Sequence, residues 1–137
     1  MPEKNIETAT VHDIQKLTSN VYRIRLSGVF IHKRIKPGQF VNLSLSGCSG
    51  HLLKRPFSVH RIHDNGIEIL FKEKGAVTRA MTGLMSGDAC ELLGPLGTPY
   101  SLCRQKKVLL IGGGIGIAPL ISLYDSLTPL KNNIVLD

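Results

Sequence analysis

The sequence predicts a mainly β protein: a six-stranded antiparallel barrel with one helix, followed by the first β-α-β of an α/β domain. Three observations predict it. Apolar and polar residues alternate with period two through most of positions 8–93, as half-buried strands require. Turn residues break the alternation at short intervals, at Pro37-Gly38, Gly47-Cys48-Ser49-Gly50, Asn65-Gly66 and Ser86-Gly87-Asp88. Near Lys106 the alternation gives way to a continuous apolar run, a glycine turn and a helical pattern.

The elements follow in order. A weak strand signal covers 8–17. In 21–27, Tyr22, Ile24 and Leu26 face one way, while Arg23, Arg25 and Ser27 face the other. In 39–46, Val41, Leu43 and Leu45 alternate with Asn42, Ser44 and Ser46. A second weak signal lies at 55–63. In 66–72, Ile67, Ile69 and Phe71 alternate with Glu68, Leu70 and Lys72. Val77, Ala80, Met81, Leu84 and Met85 then take helical spacing, with the methionines as core filler and Gly87 as the helix stop. The sixth strand is expected at 89–93, and the segment 92–102, LLGPLGTPYSL, reads as its glycine- and proline-rich exit loop. The run VLLI at 108–111 suits a strand buried on both faces, and a helix over 117–127 begins with Pro119, where a missing N–H costs little. NNIVLD at 132–137 opens the next strand. The expected organisation is therefore a barrel domain at 1–104 and the incomplete start of an α/β domain at 105–137.

At 137 residues, 42% hydrophobic and 20% charged, the chain has the composition of one globular core. The net charge of +7 points toward acidic partners. The basic cluster His32, Lys33, Arg34 and Lys36 has no interleaved aromatics and reads as a solvated face, so no nucleic-acid partner is expected. The polar MPEKNIETAT and the lack of a long apolar run predict neither a signal peptide nor a membrane span. Cys48, Cys90 and Cys103 are widely spaced and form no C-x-x-C pair, which argues against a metal site and fits reduced thiols in the cytoplasm.

Three stretches carry candidate chemistry. In LLKRPFSVH at 52–60, Arg55 offers a fixed fork of donors to a phosphate, and Pro56 removes a ladder donor. Phe57 supplies an aromatic surface and Ser58 a short hydroxyl. An edge strand with a solvated Arg is the competing reading. In LFKEKGAVTRAM at 70–81, Gly75 precedes the helix and Thr78 lies in its first turn, beside Lys72 and Lys74. That pattern suits an anion site or plain helix capping. GGGIGIAP at 112–119 is a strand–turn–helix in which Gly112, Gly113, Gly114 and Gly116 would let a backbone approach a pyrophosphate or pack tightly. It is not the G-x-G-x-x-G fingerprint, because Ile117 holds the place of the third glycine. Asp137 lies about twenty residues on, where an acidic ribose partner can sit.

The order of these motifs resembles the ferredoxin–NADP reductase superfamily, and within it the electron-transfer subunits of dihydroorotate dehydrogenase B. The likeness runs through PGQFV from Pro37, LLKRPFSVH from Leu52, GPLG from Gly94 and GGGIGIAPL from Gly112. It covers nearly the whole chain. Where the family has Gly-x-Gly-Thr, this chain has Val77 in place of the second glycine.

The resemblance implies a Greek-key barrel that binds FAD, followed by a domain that binds NAD(P)H as electron donor. It places the flavin and its phosphates on Arg55, Pro56, Phe57 and Ser58, with Leu70, Phe71 and Lys72 on the next strand and Val77 and Thr78, just after Gly75, at the pyrophosphate. It gives no acid–base residue, since the flavin does the redox chemistry. It also implies a 2Fe–2S centre and a catalytic dehydrogenase subunit of pyrimidine biosynthesis as partner. The three cysteines lack the spacing to ligate that centre. A stand-alone NAD(P)H–flavin reductase and a non-catalytic flavin-binding or assembly module are the alternatives. These 137 residues alone are expected to fall short of efficient NADH oxidation, and the segment 106–137 is expected to dimerise or swap.

Overall fold

The computed structural model describes residues 4–28, 30–46, 54–101 and 107–128. Six antiparallel strands close into a barrel: β1 (Asn5–Lys16), β2 (Val21–Ser27), β3 (Phe40–Leu45), β4 (Arg55–His63), β5 (Gly66–Lys72) and β6 (Ala89–Leu96). Their order around the barrel is β1-β2-β5-β4-β3-β6, a Greek-key path in which β2 and β5 pair across the intervening hairpin partners. Two helices accompany it, α1 (Ala76–Thr82) and α2 (Ala118–Leu127), the latter preceded by a 3-10 turn over Gly114–Ile117.

The period-two residues fill the barrel. Ile24, Leu26, Val41, Leu43, Ile67 and Ile69 are fully buried, and Val59, Cys90 and Leu92 join them from strands with weaker alternation. Closure lets most inward side chains meet neighbours from both sides. Ile31, in a short 3-10 turn over Ile31–Lys33, is fully buried in the same core. The Glu7 carboxylate holds that turn: Oε2 accepts from the backbone N–H of Phe30 (2.8 Å) and Ile31 (3.0 Å), and Oε1 accepts from Arg34 (2.7 Å). Arg34 is thus paired, not one member of a solvated basic face, while Lys33 and Lys36 are exposed.

Several elements depart from the sequence expectations. β6 continues to Leu96 and absorbs GPL, because it is paired on both sides, Gly94 with Asn5 and Leu96 with Phe40. α1 stops at Thr82 with Gly83 as its cap, so Gly87 belongs to the following turn, where its N–H donates to the Val11 carbonyl. With the helix ended, Met81 is core but Met85 is exposed. Glu68 alternates with the core residues Ile67 and Ile69, yet it too is buried, with Oε2 bonded to His63 Nε2 at 2.5 Å and 4.0 Å from Arg23.

The run at 108–111 forms no strand, and Leu109 and Ile111 are more than four-fifths exposed. A parallel strand needs neighbours for its ladder, and none pairs with this run among the described residues. The expected strand at 132–137, Cys48, Cys103 and Asp137 lie outside the described residues.

Candidate functional site

The site begins where the barrel opens. β4 and β5 pair from Val59 with Ile69 to His63 with Gly66, with a bulge between Val59 and Arg61. Beyond that bulge they part. Arg55 to Ser58 pair only with β3, and Leu70 to Val21-facing Lys72 pair only with β2. Pro56 has no N–H to offer either neighbour. A bulge re-aims a strand and ends pairing, and here the result is a split in the wall.

A cavity of about 600 Å³ occupies the split. Its walls are Arg55, Pro56, Phe57 and Ser58 from β4, Leu70, Phe71 and Lys72 from β5, and Lys74, Gly75, Ala76, Val77 and Thr78 from the start of α1. Ile115, Gly116, Ala118 and Pro119 close it from the other side. Its size falls within the range of small-molecule sites.

The aromatic floor is layered. Phe57 meets Phe71 edge-on with centroids 6.2 Å apart, and Phe71 stacks on Tyr22 at 5.5 Å. Such pairs hold ring orientation as well as bury area. Cations stand at the rim: Arg55, Lys72 and Lys74 are all exposed. The start of α1 is organised by Thr78, whose Oγ1 accepts from the N–H of Lys74 (2.9 Å) and Gly75 (3.1 Å). Val77, where a glycine was expected by resemblance, turns its side chain into the core and is almost fully buried.

The fourth wall exists because α2 lies on the outside of β4. Ala118, Ser122 and Leu123 are its buried stripe, at helical spacing. His60 Nδ1 bonds the Ala118 carbonyl (3.0 Å), Ser122 Oγ lies 3.4 Å from the Val59 carbonyl, and Arg61 Nε lies 3.5 Å from Asp125. The glycines of the turn divide. Gly114 has φ +56, a left-handed conformation that favours glycine, and a Cβ on Gly112 would lie 2.8 Å from Leu120 Cδ1. Gly113 and Gly116 face open space, and of the four only Gly116 lines the cavity.

The structure therefore brings together Arg55, Pro56, Phe57, Ser58, Leu70, Phe71, Lys72, Gly75, Val77, Thr78 and Gly116. It leaves Gly112, Gly113 and Gly114 behind that surface. Sequence reasoning assigned no site role to Ala76, Ile115, Ala118 and Pro119, whose residue types carry no chemical signal. Elsewhere, burial pushes the Cys90 thiol up to about 12, which makes it an inert core residue. No group of three or more metal-ligating side chains comes together among the described residues. No helix among them is long and apolar enough to cross a membrane.

Residues 8–100 match the oxidoreductase FAD-binding domain family. The chain is 34% identical over 123 residues to the electron transfer subunit of dihydroorotate dehydrogenase B (NAD(+)) from Fusobacterium nucleatum, covering 86% of this chain and 48% of that protein. It is likewise 34% identical over 134 residues to the subunit of that name from Geobacillus thermodenitrificans, covering 94% and 52%. The chain spans about half the length of the curated relatives it matches. Among solved structures it is similar to an NADH-dependent reduced ferredoxin-NADP oxidoreductase, with TM-score 0.80, 26% identity, and coverage of 91% of this chain and 45% of that one. It is also similar to an Amycolatopsis cytochrome P450 reductase, with TM-score 0.75, 26% identity, and coverage of 92% and 40%.

Proposed function

The chain belongs to the oxidoreductase FAD-binding domain family, and from that premise we propose that its cavity holds FAD and that it is the flavin-carrying part of an electron-transfer subunit of the dihydroorotate dehydrogenase B type. One observation carries the reading. Every barrel and α1 residue singled out from sequence lines the same cavity of about 600 Å³.

The residues present fit the group. The Pro56–Phe57 edge and the Phe71 floor suit a flat aromatic ring, and Arg55, Lys72 and Lys74 suit a diphosphate. Space is open at Gly75 and Gly116, where a Cβ would meet nothing within 4 Å. When bound, FAD supplies acceptance of a hydride from a nicotinamide and release of single electrons. The chain's own work is to bind, orient and shield. Arg55 neutralises phosphate charge at the rim, Ser58 offers a hydroxyl to a polar ring edge, and Ile115 with Pro119 limits water on the far side.

In this reading residues 1–104 are the flavin domain, and 105–137 begin the NAD(P)H side, where Gly112 to Gly116 meet the dinucleotide. The partner is a catalytic dehydrogenase subunit, and Cys48, Cys90 and Cys103 lack the spacing to ligate the 2Fe–2S centre of such subunits. Leu109 and Ile111, exposed by 82% and 81%, support self-association through 106–137 when nothing else covers them. Light scattering tests that point, and a monomer at high concentration contradicts it.

The main test is retention. The chain reconstituted with FAD should carry one flavin through gel filtration and discriminate against FMN. A flavin lost on the column favours the stand-alone reductase, which exchanges its flavin freely. Absence of NADH-dependent bleaching in a polypeptide carrying the whole nucleotide domain favours the non-catalytic module.

A further inference from the structure

Two of the cavity's walls, β4 and the segment leading into α2, come from distant parts of the chain, and the spacing between them depends on how the amino end of α2 sits against β4. The contacts between these elements are unequal. Arg61 and Asp125 lie 3.5 Å apart with side chains 46% and 41% exposed, so water screens them. Ser122 has one proton, and the Pro119 carbonyl at 3.0 Å is a better acceptor for it than Val59 at 3.4 Å. His60 makes the shortest of the three, 3.0 Å from Nδ1 to the Ala118 carbonyl. A carbonyl only accepts, so Nδ1 must carry the proton, and the second lone pair of that carbonyl remains for the helix. His60 lies two residues after the wall residue Ser58, and its acceptor belongs to the wall residue Ala118. The ring itself does not line the cavity.

We propose that His60 is a positioning residue: its Nδ1–H pins the first turn of α2 to β4 and so sets the width of the flavin cleft. The inference rests on the flavin reading above. It explains why a histidine stands at a strand position where a leucine would fill the same space, since leucine has no donor to reach the carbonyl.

The test uses His60→Leu and His60→Asn in the 137-residue chain. The asparagine amide nitrogen takes the place of Nδ1, so it keeps the donor. Without flavin, His60→Leu should raise amide exchange over residues 115–123 while barrel amides keep their protection. With flavin, it should weaken FAD binding about fivefold to tenfold and alter the visible circular dichroism of the bound ring. His60→Asn should restore all three. Unchanged exchange in His60→Leu overturns the proposal. Faster exchange with unchanged affinity and spectrum also overturns it, leaving His60 a packing contact only. An asparagine variant as defective as leucine overturns the donor role. If the wild-type chain binds no FAD, the flavin reading fails, and the exchange measurement still decides whether His60 holds α2.

Discussion

Replacing the glycines of the turn one at a time separates packing from ligand approach. Gly112→Ala places a methyl 2.8 Å from Leu120 Cδ1 and 3.2 Å from Ile117 Cα. The first neighbour is a side-chain end that can give, but the second is helix backbone. Overpacking of this kind costs about 1–3 kcal/mol. Gly114→Ala meets no atom but forces φ +56 on a residue with a Cβ, for about 1–2 kcal/mol. Gly113→Ala and Gly116→Ala meet nothing within 4 Å and need no left-handed backbone. They should be neutral, or stabilising by up to about 1 kcal/mol through the unfolded state. The assay is native-state amide exchange over α2, with barrel amides as the internal reference. The expected order of α2 opening is Gly112→Ala easiest, Gly114→Ala next, and Gly113→Ala and Gly116→Ala like wild type. Equal costs at all four positions, or no cost at Gly112, would refute the reasoning that the chain's own packing requires only part of the turn.

Arg55→Ala should weaken FAD binding by about 1.5–3 kcal/mol, roughly tenfold to a hundredfold in Kd, because it removes a charged donor from the cavity rim; flavin fluorescence titration checks it, and unchanged affinity speaks against a phosphate there. Glu7→Ala strips two backbone N–H groups and Arg34 of a shared acceptor that is only 12% exposed, so urea unfolding should show a loss of about 2–4 kcal/mol with flavin contacts untouched. Cys90 has a folded value of about 12 against 9.0, so its contribution is present in full below about pH 9 and is lost as pH rises toward 12. The stability gap between wild type and Cys90→Ala should therefore narrow across that window, by at most about 1.4 kcal/mol per pH unit; a constant gap contradicts burial of the thiol.

The barrel was legible because one face of each strand is buried. Ile24, Leu26, Val41, Leu43, Ile67 and Ile69 follow period two, and all are fully buried. Legibility ended where a residue's environment comes from other strands. Glu68 looks like a solvent position along its own strand, but Arg23 and His63 reach it from β2 and β4. VLLI has the composition of a buried strand, but a strand also needs a neighbour, and composition does not supply one. The β4 side of the site was readable because Arg55, Pro56 and Ser58 break a strand pattern. Its far wall was not, because Ile115 and Ala118 enter by the docking of α2 and carry no chemical label. His60 ends the LLKRPFSVH stretch, yet its contact is with a backbone carbonyl that sequence cannot place.

The central claim is that FAD lies in the split between β4 and β5, beneath the glycine turn. Amide exchange of the wild-type chain with and without saturating FAD tests it most directly. The account predicts one flavin per chain and new protection at 55–58, 70–72, 74–78 and 115–119, with the opposite side of the barrel unchanged. Protection elsewhere, or none in a chain shown to carry flavin, would contradict it.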